Sequence, residues 1–380
     1  MTLADYRALF EMPPGVAYLD HAATGTLPRP AADAAADYLA GRAGRLPDRS
    51  PNNFPADLDR IDRVRRRAAE LVGAAPEAVC IVPNTSYGLN LVAQGLDWRP
   101  GDRVVVPGCE FPANLLPWRG LAHLGVEVDG VPHREGTFTV ADVEAAMTER
   151  TRVVAVSAVQ FLSGFRADLD ALGALCRERD VLFVVDAIQG AGVLRFHLAE
   201  IRPDLFTFGA HKWMGAMQGA GIAVVGDALR DRLRPLRGWL NGPVDWDDFE
   251  ASTLDLHPDA TRFHVGTMPT AALYALDAAL GAQLDIGTEI IEAAALAHAA
   301  RLGEGLEALG LERYGPKDTA SAIVTVRADD PEGLHAHLAK RGVVASLRSR
   351  LLRFAPHTQT PPEAIDQALE AVADFDGVTV

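Results

Sequence analysis

Cysteine is scarce. The 380-residue chain carries three, Cys80, Cys109 and Cys176, and an odd number of widely spaced thiols fits neither a disulfide framework nor a zinc site. They read as reduced thiols of a cytosolic protein, with no metal implied. Long apolar runs are also missing: none approaches the roughly 20 residues that a membrane-spanning helix needs. The first residues, Met1-Thr-Leu-Ala-Asp-Tyr-Arg7, lack the charged and apolar regions of a secretory signal. A cytoplasmic location with no membrane partner is therefore expected. Positive charge is in deficit as well, with 36 basic against 51 acidic residues and a net charge of −15. A nucleic-acid surface would call for a basic face, so nucleic acid is excluded as a partner, while excess acid favours solubility. No internal repeat or low-complexity segment interrupts the chain.

What is present points to a large soluble enzyme. A hydrophobic content of 48% can bury a sizeable core, and a chain of this length is expected to divide into two unequal domains. Short β-branched runs bounded by Gly, Pro and Asp lie at 79–82, 104–106, 126–131, 153–159, 181–185, 205–208 and 222–225. They read as buried strands, and the helical patterns between them predict an α/β fold with a mostly parallel, seven-stranded sheet. Ile61, Val64, Ala68 and Leu71 recur at helical spacing, and Asp168 stands where a helix cap belongs. From about 270 to 306 the chain is alanine-rich and helical. Strand 322–327, helix 332–341 and strand 343–354 then suggest a smaller α/β carboxyl-terminal domain. The expected division is an amino-terminal segment 1–15, a large domain 16–262 and a small domain 263–380, with the polar stretch 238–262 as a mobile loop.

Lys212 is the most informative residue. It lies in Asp204-Leu-Phe-Thr-Phe-Gly-Ala-His-Lys-Trp-Met-Gly215, downstream of a strand that ends at Asp186 and carries Gln189 just beyond. A lysine amine becomes nucleophilic when desolvation or nearby charge lowers its pKa, and pyridoxal 5'-phosphate uses such a lysine as a Schiff-base partner. The pyridine nitrogen of that cofactor needs a carboxylate, which Asp186 supplies at the strand end where open α/β sheets present site residues. Thr85 and Ser86 begin a helix, so their hydroxyls and free N–H groups suit a phosphate.

Further segments occur in a fixed order: Tyr18-Leu-Asp-His-Ala-Ala-Thr-Gly-Thr-Leu-Pro28, Val82-Pro-Asn-Thr-Ser86, Gly108-Cys-Glu-Phe-Pro-Ala-Asn114, Ser157-Ala-Val-Gln160, Val265-Gly-Thr-Met-Pro269 and Leu352-Arg-Phe-Ala-Pro-His-Thr-Gln-Thr360. With the lysine run they resemble the class V aminotransferase family of pyridoxal phosphate enzymes, of fold type I, which includes cysteine desulfurases and isopenicillin N epimerase-like proteins. The resemblance covers nearly the whole chain. It implies an internal Schiff base at Lys212, Asp186 at the pyridine nitrogen, Phe111 stacked on the ring, and Gln160 and Gln189 near the ring hydroxyl. Thr85, Ser86 and His211 would hold the phosphate, joined by Thr267 from a neighbouring subunit, which implies a homodimer with shared sites. Arg353 would bind the substrate carboxylate, with His21 and Ala22 lining the substrate side. Arg348 either assists Arg353 or forms a surface ion pair.

Three departures narrow the reaction. Gly209 stands three residues before the lysine, where the family usually has serine. Phe111 occupies a position where many desulfurases have histidine, and it can stack but cannot move a proton. Desulfurases also need a thiol before the carboxylate-binding arginine, and no cysteine follows Cys176. The resemblance then implies an enzyme that forms an external aldimine with an α-amino acid and removes its α-proton. The outcome is transamination or β-elimination from a cysteine conjugate, with epimerisation, decarboxylation and non-catalytic cofactor binding as further alternatives. The substrate pocket is expected to include loops 49–54 and 238–245.

Overall fold

A computed structural model describes every residue except 46–53, 246, 249, 251–252, 318–320 and 377–380. Its strands, in chain order, are β1 (Ala17–Tyr18), β2 (Val79–Val82), β3 (Arg103–Pro107), β4 (Glu127–Val131), β5 (Thr151–Ser157), β6 (Leu182–Asp186), β7 (Leu205–Gly209), β8 (Gly221–Val225), β9 (Glu312–Arg313), β10 (Val324–Arg327), β11 (Val343–Val344), β12 (Ser346–Arg348) and β13 (Leu351–Phe354). Seven of them form one sheet, in the order β2-β8-β7-β6-β5-β3-β4. Only β8 runs antiparallel to its neighbours; the other pairs are parallel. Both faces of such a sheet are covered, which is why β5 to β8 read as unbroken apolar runs rather than alternating ones. The chain leaves β3 for β4 in one direction and β5 for β6 and β7 in the other. A crevice therefore opens beyond the carboxyl ends of β3 and β5, where α/β sheets bind ligands.

Helix Thr270–Ile286 packs across helices Arg29–Arg42 and Phe54–Val72, and its apolar residues share the core of the large sheet. The alanine-rich run is helical as expected, in two helices: Gly287, at φ 92°, turns the chain before Thr288–Ala308 begins. A second core gathers Ala17 and Leu19 with residues from Ala299 to Val372 around the antiparallel sheet β12-β13-β10-β9. The change of core thus falls within Thr288–Ala308, later in the chain than 262/263. The expected strand 343–354 is also divided. β12 and β13 pair antiparallel through the turn residues Ser349 and Arg350, both left-handed at φ 50° and 61°, as a tight hairpin turn requires.

One polar contact locks the helical layer. The Asp277 carboxylate, with 3% of its side chain exposed, pairs with Arg60, Arg63 and Arg67 of the facing helix. Removing it strands three cations around an apolar seam. Asp277→Ala is expected to destabilise the fold by about 3 kcal/mol, read as a lowered urea midpoint with an unchanged m-value. An unchanged midpoint would mean that the arginines find water without cost.

Candidate active site

β6 delivers Asp186 to the carboxyl edge of the sheet, and the turn after neighbouring β7 carries His211 and Lys212. Asp186 is 2% exposed, and its Oδ1 accepts the Ile188 N–H at 3.0 Å. Burial pushes this carboxyl up from its ordinary range, opposed by the Ile188 N–H and the Lys212 charge. Burial pulls the Lys212 amine down to about 8. The Asp186 and Asp20 charges resist that drop, and Arg353 and Arg348 add to it. At pH 7 about a tenth of such amines are neutral, against roughly one in 2,500 for an ordinary lysine. Lys212 is one of only three lysines in the chain, with Lys317 and Lys340, a scarcity that itself marks it.

The segment 18–26 is pressed onto the lysine turn. Gly25 N–H donates to the His211 carbonyl at 2.8 Å, and a Cβ at Gly25 would lie 1.8 Å from the Lys212 carbonyl oxygen. Gln189 joins the same two pieces: its Nε2 donates to the Ala22 carbonyl at 3.0 Å, and its Oε1 accepts the Trp213 indole N–H at 2.9 Å. It acts as a strut between the segment and the lysine turn, a role that its position in the sequence did not signal. His21 is enclosed, with Nδ1 at the Ala355 carbonyl and Nε2 at the Gln359 amide. Burial pushes its pKa down to about 3, so it is neutral and offers no charge to a substrate.

Helix Thr85–Gly95 is capped by Asn84, whose side chain accepts the Tyr87 N–H, so neither Thr85 nor Ser86 serves as the cap. Thr85 is 3% exposed, and its Oγ1 has no hydrogen-bond partner. An orphaned hydroxyl beside a helix start suits an anion. Gly209 has a visible consequence: a Cβ there would lie 3.1 Å from Nδ1 and Cε1 of His211. The imidazole therefore fills the space of the serine that the family usually has, and burial with the Lys212 charge lowers its pKa.

At the sheet crevice the structure adds a residue that sequence reasoning missed. Glu110 is buried; its Oε1 accepts the Ser157 N–H at 2.6 Å and the Gln160 Nε2 at 2.7 Å, and its Oε2 accepts the Ser157 hydroxyl. Burial pushes this carboxyl up to about 7. One Gln160 N–H is thus committed to Glu110, while its Oε1 is buried without a partner. Phe111 next door is 48% exposed and lies edge-on to Phe161 at 5.2 Å.

Arg353 is 3% exposed and already engaged. Its Nη1 donates to the Phe161 carbonyl at 2.9 Å, its Nη2 to Asp20 at 3.1 Å and to Ser346 Oγ at 3.3 Å, and its Nε has no partner. Asp20 was the other missed partner, although it lies in the quoted amino-terminal motif. Thr267 is exposed in the loop before Thr270 and no hydrogen bond ties it to the lysine turn among the described residues. Of the expected pocket loops, 49–53 lies outside the described residues. The stretch from 238 is anchored at its start by Asn241, which donates to the Arg262 and His264 carbonyls. A cleft of about 650 Å³ lies elsewhere: it is lined by Arg166, Arg195 and Glu292, and these arginines are paired with acids.

No helix among the described residues is long and apolar enough to cross a membrane. The chain is 28% identical over 326 residues to a probable cysteine desulfurase of Pyrococcus abyssi, covering 85% of this chain and 80% of that one. It is also 28% identical over 329 residues to the uncharacterised aminotransferase YcbU of Bacillus subtilis, covering 84% and 85%. Among solved structures, the cystine C–S lyase C-DES in complex with its product cysteine persulfide matches the fold at a TM-score of 0.88 and 23% identity, over 95% of this chain and 98% of that one. The family model for class V aminotransferases matches residues 17–346, and the chain belongs to that family.

Proposed function

We propose that this class V pyridoxal 5'-phosphate enzyme is a carbon–sulfur lyase, which eliminates sulfur from the β-carbon of a cysteine conjugate or disulfide. The observation that carries this reading is the hairpin between β12 and β13. Only Ser349 and Arg350 join the strands there, and no cysteine follows Cys176, so the hairpin ahead of Arg353 brings no sulfur-accepting thiol to the site. Cys109 does not replace it: burial, with the Glu110 charge, pushes its thiol up to about 12, which leaves little thiolate.

The residues suit the cofactor. Thr85 Oγ1, the start of its helix and His211 would take the phosphate, Asp186 the pyridine nitrogen, and Phe111 one ring face. When bound, pyridoxal 5'-phosphate supplies an electron sink for the charge that develops at the substrate α-carbon. The unpartnered Nε and remaining donors of Arg353 would hold the α-carboxylate, with Asp20 and the Phe161 carbonyl fixing the guanidinium plane. Lys212, with its lowered pKa, takes the α-proton. The apolar Phe111 offers no proton, which a thiolate or persulfide leaving group does not need. The balance is one conjugate and one water to one thiol, pyruvate and ammonium. Thr267, exposed and away from the lysine turn, fits a reading in which two copies pair and each completes the other's phosphate site.

The test is product analysis with cystine, S-alkyl cysteines and the common amino acids. Pyruvate, ammonium and thiol in equal amounts support the lyase. A 2-oxo acid without sulfur release identifies an aminotransferase and overturns elimination as the main reaction.

A further inference from the structure

We propose that Arg348 reads a negative charge at the far end of the substrate side chain, so that the preferred substrates are amino acids whose side chain ends in an anion. This rests on the amino-acid reading of the Lys212 site. Ser346 lies opposite Arg353 in the β12–β13 register, and Arg348 lies opposite Leu351. Side chains alternate along a strand and match across an antiparallel pair. Ser346, Arg348 and Arg353 therefore share one face of the hairpin. On that face Arg353 and Ser346 meet Asp20, and Arg348 stands one step nearer the solvent, at the turn.

The charges nearby are matched except for one. Arg353 is balanced by Asp20 and Lys212 faces Asp186, while Arg350 of the same turn pairs with Glu332 at 2.7 Å. Arg348 is exposed and makes no ion pair among the described residues, yet its charge is felt by both Lys212 and Arg353. A substrate whose α-carboxylate engages Arg353 leaves this cation unanswered at the mouth of the site. The left-handed turn at Ser349 and Arg350 holds the hairpin in register and fixes where the cation projects.

The experiment compares two isosteric conjugates on the holoenzyme, S-(2-carboxyethyl)-L-cysteine and its primary amide. The wild type is expected to favour the carboxylate by about fivefold in kcat/KM, the scale of one partly exposed ion pair. In Arg348→Gln that preference falls to near unity through KM, with kcat holding its ratio. Equal losses on both substrates would place Arg348 at the shared α-carboxylate and overturn the proposal, as would a preference that survives the substitution. If neither conjugate releases pyruvate, the lyase reading falls instead, and titration of the holoenzyme with L-glutamate against L-glutamine, followed by absorbance, decides the charge preference alone.

Discussion

Replacing Lys212 by alanine is expected to lower turnover of any amino acid by about 10²- to 10⁴-fold, the scale of a lost general base, and to leave bound cofactor removable by gel filtration. Burial and the Asp186 charge set this amine apart from a surface lysine, so neither Lys317 nor Lys340 replaces it. Lys212→Arg keeps the charge beside Asp186 but cannot deprotonate, and it should be equally inactive while folding better than the alanine variant. A pH profile tests the chemistry without turnover. In cofactor-free protein, labelling of Lys212 by an amine-selective reagent should rise tenfold per pH unit and level off above about 8. Lys317 and Lys340 serve as internal references. A Lys212 profile that follows theirs would show that burial does not depress this amine, and turnover in the alanine variant would remove the lysine from the mechanism altogether.

Gly25→Ala should have the next largest effect, although residue 25 has no part in the chemistry. The added methyl would fall 1.8 Å from the Lys212 carbonyl oxygen, a backbone atom that cannot rotate away. Either the segment 18–26 lifts or the lysine turn sinks, and each breaks the Gly25-to-His211 hydrogen bond. A displacement near 1 Å at a reacting group costs about a hundredfold in rate. Turnover should fall by that order while circular dichroism stays that of the wild type, and Lys212 labelling should shift its midpoint upward as water reaches the amine. Full activity in the variant would mean that the segment is loosely held.

The sequence was legible where the signal is local. The apolar runs of β5 to β8 are buried on both faces, so composition alone reveals them, and Asp186 and Lys212 follow from the strand ends they occupy. What stayed hidden depends on distant partners. Glu110 reads as a solvated acid until Ser157 and Gln160 are folded around it, and Asp277 reads as the exposed face of an alanine-rich helix until three arginines meet it. Gln189 could be placed near the site but not oriented, because Ala22 and Trp213 set its amide. The break at Gly287 is not visible in the periodicity, because a single glycine does not declare its φ. Thr85 and Ser86 do begin their helix, but its cap, Asn84, went unremarked because its amide is recognised only once it meets the Tyr87 N–H.

The site is also closed by two segments that lie far apart in the sequence. β1 pairs with β11, Asp20 bridges to Ala355 and pairs with Arg353, contacts that span more than 300 residues of sequence. The segment 17–25 is therefore not held in place until 343–355 has reached it. Closing so long a loop is entropically slow. Until it closes, the lysine turn lacks the lid that Gly25 and Ala22 provide, so a reactive amine is not enclosed in a finished pocket before these two segments have met.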